Sequence, residues 1–279
     1  VSPLWFIFSS MRRKLGQVFL VDKNILRKIV DSAQIVEDEW VLEVGAGKGD
    51  LTGLLLERGA KVVTFELDPK LIGVVEREFA LLKGDRFFLY TMDFLKADLG
   101  EIRRELGAEK FKFVSNIPYY ITSPILVKLV ENREHFSDVY ITLQKEVAER
   151  LSARSATFQY GSLTLFISYY FVVHRLFDIS RTCFRPVPKV NSSFIRLEPR
   201  EEPPVAVRNE RLLFDIIRAS FGGRRKKLRN ALRSIASKET IAELEARSDI
   251  SLERRGETLD LHEFARLADE LDRLLKERS

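Results

Sequence analysis

The stretch Trp40-Val-Leu-Glu-Val-Gly-Ala-Gly-Lys-Gly-Asp-Leu-Thr-Gly53 decides the fold that we predict for this chain. Its apolar start, 40–44, has the length of a buried strand, three alternating glycines follow, and residues 51–57 have the composition of a helix. Glycines at a strand-to-helix junction let the backbone turn sharply and approach a ligand closely, because no Cβ is in the way. The stretch therefore predicts a ligand-binding turn at the carboxyl end of a strand.

An acidic residue follows the glycine turn and the next apolar run. Glu66 comes directly after a second apolar run, 61–65, and lies 21 residues past Gly45 (66 − 45). Parallel α/β sheets place a carboxylate near this position to bind ribose hydroxyls. The glycine pattern alone would fit a purely structural tight turn. The order of strand, glycine turn, helix, strand and acid favours nucleoside binding.

Composition restricts the class of protein. The chain has 279 residues, of which 31% are charged and 45% apolar, so we expect a globular protein with one large domain or two unequal ones. The net charge of +5 permits a polyanionic partner. A single cysteine, Cys183, and three scattered histidines predict no internal disulfide and no metal site. The apolar residues 1–10 are too short to span a bilayer, and no later stretch reaches that length, so we expect no membrane association. The low cysteine content fits a reduced, cytoplasmic setting, and we expect a monomer.

Apolar runs and helical segments alternate through the first two thirds of the chain. This order predicts an α/β fold with a mostly parallel sheet, to which strands near 171–178 and 190–197 add an antiparallel edge. The proline-containing stretch 198–205 reads as a linker, and the pattern beyond it is helical at 209–220, 223–237, 239–247 and 261–277. We therefore predict two domains, 12–198 and 206–279.

A second turn at a strand end carries residues suited to a purine amine. Asn116-Ile-Pro-Tyr119 follows the predicted strand 110–115. An asparagine oxygen together with a backbone carbonyl can accept both hydrogens of an exocyclic amine, and an aromatic ring can stack on the base. The alternative is a strand-ending turn with a buried tyrosine. The nucleoside-type glycine turn upstream favours the functional interpretation.

Several motifs together resemble the ribosomal small-subunit RNA adenine dimethyltransferases, which are S-adenosylmethionine (SAM)-dependent class I methyltransferases. The matching stretches run from about residue 12 to the C-terminus in the family's order: Leu15–Leu20, Glu43–Thr52, Glu66–Asp68, Asp93, Asn116–Tyr119, Gln144–Glu146, Phe184–Val190 and Phe221–Leu232. The resemblance implies a seven-stranded Rossmann-like methyltransferase sheet with a small all-helical C-terminal domain.

The resemblance also implies a cofactor site. Gly45 and its neighbours would cradle the methionine part of SAM, Glu66 would bind the ribose hydroxyls, and Asp93 would accept from the adenine amine. Val18 departs from the pattern, since the family usually has Asn or His at this position. The implied cofactor-binding residues are Gln17, Val18, Leu20, Glu43, Gly45, Gly47, Glu66, Leu67, Asp93, Phe94 and Asn116. Asp93 could instead serve only as a loop cap.

For the target base, the resemblance implies that Asn116, Pro118 and Tyr119 bind and activate the adenine. Phe184 would pack on the base from the side opposite Tyr119, in a pocket shaped by nearby prolines. Phe184 could also be an ordinary core residue, because large aromatic side chains usually are.

A cluster of basic residues predicts contact with nucleic acid. Residues 224–233 include six basic side chains and no acid. On a helix, Arg225, Arg229 and Arg233 would share one face. A basic face that is merely solvated is the alternative, and the family resemblance favours RNA. The predicted RNA-binding residues are Arg224, Arg225, Lys226, Lys227, Arg229 and Arg233.

The expected reaction is the transfer of methyl groups from SAM to N6 of two adjacent adenines in a hairpin near the 3′ end of small-subunit rRNA, during ribosome biogenesis. The substrate would be free rRNA or a pre-assembled small subunit. Three alternatives stay open: a large-subunit rRNA adenine methyltransferase of the antibiotic-resistance type, a catalytically silent RNA-binding assembly or transcription factor, and a nicotinamide-dependent dehydrogenase.

Overall fold

The computed structural model describes residues 18–223 and 226–278. The predictions made for Gln17, Arg224 and Arg225 therefore lie outside the described residues. The strands are β1 (Phe19–Leu20), β2 (Trp40–Val44), β3 (Lys61–Phe65), β4 (Phe87–Tyr90), β5 (Phe111–Ser115), β6 (Phe136–Gln144), β7 (Phe171–Ile179), β8 (Phe184–Arg185) and β9 (Ser192–Pro199). The helices are α1 (Lys23–Ala33), α2 (Asp50–Glu57), α3 (Pro69–Glu78), α4 (Leu99–Glu105), α5 (Thr122–Glu131), α6 (Lys145–Leu151), α7 (Ser162–Tyr170), α8 (Glu210–Phe221), α9 (Leu228–Ala231), α10 (Lys238–Ser248) and α11 (Leu261–Glu277).

Seven strands form one sheet in the order β4-β3-β2-β5-β6-β9-β7. The first five of these strands run parallel, and β9 pairs antiparallel with both β6 and β7. The predicted seven-stranded α/β sheet with an antiparallel edge is thereby confirmed. From β2 the chain continues to β3 and β4 on one side, and it then crosses back to β5 on the other side of β2. The carboxyl ends of these strands border a crevice at this switch in strand order.

The central strands are apolar because helices cover both faces of the sheet. Val41 and Leu42 of β2, Val62 of β3 and Phe113 of β5 have no exposed surface. On one face, α1 and α2 contribute a cluster of buried aliphatic side chains that packs against the strands. This packing fixes the strand ends from which the site is built.

The chain divides into two compact units. One comprises the described residues up to Ala148 together with Phe171–Pro199 and contains the whole sheet. The other comprises Glu149–Tyr170 and the chain from residue 200 onward. In this second unit the Tyr160 hydroxyl donates to the Leu259 carbonyl at 2.9 Å. The predicted division into 12–198 and 206–279 stays a prediction.

One element of the C-terminal part differs from expectation. The predicted helix 223–237 is wrong, since the chain forms only the single turn α9 and a 3-10 turn, Leu232–Ser234. The reason is a long-range pairing: the amides of Leu228 and Arg229 donate, at 2.9 Å each, to the carbonyls of Arg254 and Leu252. These bonds use amides that a helix begun near residue 223 would have needed, and Lys227, just before α9, is extended.

Among the described residues, no helix is both long enough and apolar enough to cross a membrane. Nor does the described part of the chain contain a group of three or more His, Cys, Asp or Glu side chains that could hold a metal ion.

Candidate active site

The glycine turn after β2 is the centre of the site. Gly45 and Gly47 have φ values of +81° and +59°, which L side chains rarely adopt. A Cβ added to Gly47 would lie 3.3 Å from two atoms of the Phe19 ring. The amide of Gly45 donates to the Phe65 carbonyl at 2.8 Å, which ties the turn to the end of β3. Gly45 and Gly47 therefore occupy positions in this turn that require glycine.

Glu66 is held rigidly beside this turn. One carboxylate oxygen accepts from the amide of Gly47 at 3.0 Å, and the other accepts from the amides of Leu67 at 2.8 Å and Asp68 at 3.0 Å. The side chain is 5% exposed. Three backbone donors hold the carboxylate in place, and its remaining lone pairs are available to a ligand.

A cleft opens over the glycine turn and the ends of β2, β3, β4 and β5. It contains about 730 Å³ of unoccupied space, part of which is open to solvent. Nine residues predicted from the sequence line it: Val18, Gly45, Gly47, Glu66, Leu67, Asp93, Phe94, Asn116 and Pro118. Seven further lining residues were not predicted: Phe19, Val44, Phe65, Met92, Leu95, Tyr120 and Ile121.

Asp93 fills the capping role that the sequence left open, and its contact with the cofactor stays a prediction. Its carboxylate accepts from the Leu95 amide at 3.0 Å and so caps a short 3-10 turn, and the residue also lines the cleft. The next residue, Phe94, is buried and meets the Phe65 ring edge-on, with centroids 5.3 Å apart. The cap therefore fixes an acid and an aromatic ring at the same wall of the cleft.

The cleft has an electronegative character. Burial raises the pKa of the Tyr120 phenol, and the negative charges of Glu66 and Asp93 raise it further. Tyr120 therefore stays neutral, and the two carboxylates face a space walled mainly by apolar side chains. Such a cleft favours a cationic ligand with a flat, apolar part.

Asn116 supplies an unused acceptor at the edge of this cleft. Its Oδ1 atom is buried and has no hydrogen-bond partner among the described residues. A buried acceptor without a partner costs roughly 1–3 kcal/mol, which a ligand amine would recover. The side chain is placed by β5, which ends at Ser115, and by the proline two residues further on.

The Ser115 hydroxyl connects β5 to β2 just before the glycine turn and the Asn116 turn. The Cα pairing of β2 with β5 ends at Leu42 and Phe113, two residues short of each turn. Beyond that point the Ser115 hydroxyl donates to the Val44 carbonyl at 2.8 Å and accepts from the Val44 amide at 3.3 Å. The side chain thereby extends the contact between the strands up to the glycine turn and the Asn116 turn.

Glu43 lies beneath the glycine turn and does not line the cleft. Its carboxyl is buried and accepts from the Thr52 hydroxyl at 2.6 Å, which links β2 to the first turn of α2. Burial raises the pKa of Glu43 to about 7, and the charge of Glu66 contributes in the same direction. Its predicted contact with the cofactor stays a prediction.

Two other predicted residues belong to the interior. Leu20 and Phe184 are Cα partners in the small antiparallel sheet formed by β1 and β8. Both are buried in the aliphatic cluster under the main sheet, and Phe184 has no exposed surface. Neither lines the cleft. The packing of Phe184 on a target base, and the cofactor contact of Leu20, stay predictions.

Tyr119 does not line the cleft either, although its neighbour Tyr120 does. It begins a 3-10 turn, Tyr119–Ile121, and its hydroxyl shares a hydrogen bond of 2.5 Å with the Ser192 hydroxyl. Burial raises the pKa of the Tyr119 phenol. The two adjacent tyrosines thus differ in their surroundings, which the sequence alone does not reveal.

The described basic residues of the predicted RNA site fall into two groups. Lys227 pairs with Glu253 at 2.6 Å, and Arg229 pairs with Glu253 at 3.1 Å and also with Glu245. Lys226 and Arg233 are exposed. The acids lie 16 and more residues away in sequence, so the local charge pattern did not predict this pairing.

Comparison with known proteins identifies the family. The model of the family described as "Ribosomal RNA adenine dimethylase" matches residues 8–273. The chain belongs to this family. The resemblance inferred from the motifs is thereby confirmed.

Relatives and solved structures agree with this membership. The chain is 41% identical to ribosomal RNA small subunit methyltransferase A of Clostridium acetobutylicum, with 94% of each chain covered. It is 43% identical to the protein of the same name from Geobacillus thermodenitrificans, over 94% of this chain and 91% of the relative. A dimethyladenosine transferase from Plasmodium falciparum is similar in structure, with a TM-score of 0.76, 27% identity and coverage of 92% and 98%. The 23S rRNA methyltransferase ErmE has a TM-score of 0.66, 26% identity and coverage of 91% and 99%.

The unpredicted lining residues lie next to the sequence motifs from which the site was predicted. Met92 and Leu95 flank the Asp93-Phe94 pair, and Tyr120 directly follows the Asn-Ile-Pro-Tyr motif. Phe19 lies between two residues that were predicted. A window widened by one or two residues around each motif would have included them.

Proposed function

We propose that this protein transfers methyl groups from SAM to N6 of two adjacent adenines in a hairpin near the 3′ end of small-subunit rRNA. The product is N6,N6-dimethyladenine, and the reaction belongs to ribosome biogenesis. In a chain of the rRNA adenine dimethylase family, the observation that carries the proposal is the buried, unpartnered Oδ1 of Asn116 at the edge of an electronegative cleft.

The residues that line the cleft fit SAM. The cofactor is a sulfonium cation that carries a ribose and a flat adenine, and when bound it supplies an electrophilic methyl group. Gly45 and Gly47 leave room for close approach of its amino-acid part, and Glu66 offers its free lone pairs to the ribose hydroxyls. Asp93 would accept from the adenine amine, and the exposed apolar side chains of Leu67 and Met92 would cover the ring.

Asn116 and Pro118 bind and orient the acceptor amine in this proposal. The adenine must leave its stack, because N6 is not accessible for transfer within a helix. The Asn116 oxygen then accepts one hydrogen of the amine, and a backbone carbonyl of the turn accepts the other. Both acceptors draw the lone pair of nitrogen away from the ring and toward the methyl donor. Holding both partners at about 3–3.5 Å is worth roughly 7–11 kcal/mol of the barrier.

RNA binding is assigned to the helical part of the chain, 206–279, with the basic residues around Arg233 as its contact surface. The substrate is free rRNA or a partly assembled small subunit, and the protein acts as a cytoplasmic monomer. The exposed side chains of Lys226 and Arg233, and the net charge of +5, support this assignment.

A large-subunit rRNA methyltransferase is the closest rival, because ErmE shares the fold. Sequence identity favours small-subunit rRNA as the substrate. Identity to the small-subunit methyltransferases is 41–43%, whereas identity to ErmE is 26%. A silent RNA-binding factor is disfavoured by the intact set of Glu66, Asp93 and Asn116 around the cleft.

The test is to incubate the protein with labelled SAM and purified small- or large-subunit RNA and to map the methylated adenines. We expect dimethyladenine at two adjacent positions near the 3′ end of the small-subunit RNA. Label in the large-subunit RNA alone would contradict the proposal.

Replacement of the key acceptor refines this test. Asn116→Ala should lower the transfer rate by about 100-fold or more, in line with the loss of other oriented groups in active sites. Calorimetry should show that SAM binding is nearly intact, because Asn116 is proposed to act mainly on the acceptor amine. Loss of SAM binding in this variant, or a transfer rate near the wild-type value, would overturn this role.

A further inference from the structure

A buried serine lies against the tyrosine of the Asn-Ile-Pro-Tyr turn. The Oγ of Ser192 and the phenol oxygen of Tyr119 are 2.5 Å apart, although 73 residues separate them in sequence. Ser192 has no exposed surface. Within the described part of the chain, Ser192 is the one hydrogen-bond partner of the Tyr119 side chain, so this contact sets the direction of the phenol.

The two partners differ in how firmly their backbones are held. Ser192 begins β9, which lies between β6 and β7, and its Cα is paired with Gln144 on one side and Ile179 on the other. Tyr119 lies on a short 3-10 turn, in which the Ile121 amide donates to the Pro118 carbonyl at 3.2 Å and the Thr122 amide donates to the Tyr119 carbonyl. The hydroxyl pair therefore connects a short turn, whose hydrogen-bond geometry is poorer than that of a regular helix, to the interior of the sheet.

Adjacent residues of a strand point to opposite faces of the sheet, and β9 shows this clearly. Ser193 is also fully buried, but its hydroxyl donates to the carboxylate of Asp178 on β7 at 2.6 Å. Asp178 is held further by Lys145 at 2.6 Å and by Arg175 at 3.2 Å. Of two neighbouring buried serines, one thus contacts the Asn116–Tyr119 turn and the other contacts a structural ion-pair cluster.

We propose that Ser192 is a positioning residue for methyl transfer, which fixes the Tyr119 ring and through it the plane of the target adenine next to Asn116. This inference rests on the proposed function. A reacting base must be held within about 0.5 Å and 10–20° of the productive geometry, and residues on regular elements achieve this better than residues on turns. A misplacement of about 1 Å can cost roughly 100-fold in rate. Ser192 connects the Tyr119 side chain directly to β9, a strand that is paired on both sides.

The experiment is a double-mutant cycle with Ser192→Ala, Tyr119→Phe and the combined variant, measured as kcat and KM for SAM and for small-subunit RNA. Each single variant removes the same hydrogen bond from one side. We expect each to lower kcat roughly tenfold with the KM for SAM unchanged, and we expect the combined variant to be no slower than the slower single variant.

Ser193→Ala is the matched control, because it removes a buried hydroxyl at the neighbouring position of the same strand. It should lower the melting temperature at least as much as Ser192→Ala while leaving kcat near the wild-type value. A merely structural role of Ser192 would make the two serine variants alike in kcat once stability is compared.

Each outcome decides between the alternatives. Losses in kcat that multiply in the combined variant, or a kcat of Ser192→Ala equal to that of Ser193→Ala, overturn the inference. If Ser192→Ala does not fold, Tyr119→Phe decides alone, since an unchanged kcat in that variant contradicts the positioning role. Wild-type protein that transfers no methyl group to adenine would refute the proposed function itself, which is a separate result.

Discussion

Glu43 carries a carboxyl group that is buried directly beneath the glycine turn. Burial outweighs the hydrogen bond from Thr52, so the pKa of Glu43 rises from 4.5 to about 7. In the unfolded chain the same group ionises near 4.5. Between these two values the folded protein binds a proton that the unfolded chain does not hold, and this difference makes folding depend on pH.

The sign of this pH dependence follows directly. The contribution of Glu43 to stability is fully present below about pH 4.5 and is lost as the pH rises through 7. With about 1.4 kcal/mol per pH unit, the interval from 4.5 to about 7 limits the effect to about 3 kcal/mol. Glu43→Gln should lie closest to the wild type in stability near pH 5 and be clearly more stable than the wild type at pH 8.

Urea denaturation at pH 5, 6, 7 and 8 measures this effect. The exposed Glu57 lies on the neighbouring helix, so Glu57→Gln serves as the control and should leave the pH dependence unchanged. Parallel stability curves for Glu43→Gln and the wild type over this range would contradict a buried, protonated carboxyl.

Single residues differ in how far the sequence could predict them. Glu66 and Asn116 were found because each directly follows an apolar run, so local order alone places it at a strand end and in the cleft. The burial of Leu20 and Phe184 could not be read locally, since it results from the pairing of β1 with β8 across more than 160 residues. The different surroundings of Tyr119 and Tyr120 likewise depend on a partner, Ser192, from a distant strand.

At the scale of elements, the end of β2 depends on one side chain of β5. The Val44 amide and carbonyl are both paired with the Ser115 hydroxyl, at 3.3 Å and 2.8 Å. Removing the hydroxyl leaves two buried backbone groups without this partner. Ser115→Ala should therefore lower the free energy of unfolding by roughly 1–3 kcal/mol and weaken SAM binding, because the glycine turn begins at the next residue.

Chemical denaturation and calorimetry with SAM check this expectation together. Ser137→Ala is the control, since its hydroxyl makes only a long contact of 3.4 Å with the Phe111 carbonyl at the opposite end of β5. That variant should stay within about 0.5 kcal/mol of the wild type. Equal losses in the two variants would show that the hydroxyl of Ser115 has no special role.

Most elements were predictable because their hydrophobic pattern is local. The apolar run 61–65 is observed as the strand Lys61–Phe65, and the helix predicted at 261–277 is observed with those bounds. The predicted helix 223–237 failed for a physical reason, since the amides of Leu228 and Arg229 bond to carbonyls more than 20 residues away. Basic residues with good helix propensity gave no sign of this pairing.

At the scale of the whole molecule, charge compensation changes the expected contribution of each basic residue to RNA binding. Lys227 and Arg229 form ion pairs with acids, whereas Arg233 is exposed and forms no ion pair with any of the described residues. Arg233→Ala should lower RNA affinity and reduce the slope of log K against log salt concentration by about 0.7–0.9. Lys227→Ala should change this slope less, because Glu253 already neutralises part of its charge.

Fluorescence anisotropy with a labelled small-subunit hairpin at several KCl concentrations gives both slopes. An Arg233→Ala variant with the wild-type slope would place the RNA contact elsewhere on the surface. The sequence predicted the basic cluster but not which of its members form ion pairs, since Glu245 and Glu253 lie outside residues 224–233.

The lone thiol of the chain has a practical consequence. The Cys183 carbonyl accepts from the Val21 amide at 2.9 Å, so Cys183 borders the junction where β1 meets β8. Because the sequence contains one cysteine, a maleimide dye attaches at a single place. Burial and the neighbouring Asp22 raise the pKa of the thiol, so labelling proceeds best in alkaline buffer. The fluorescence of that dye would report in real time whether the β1–β8 junction rearranges when ligands enter.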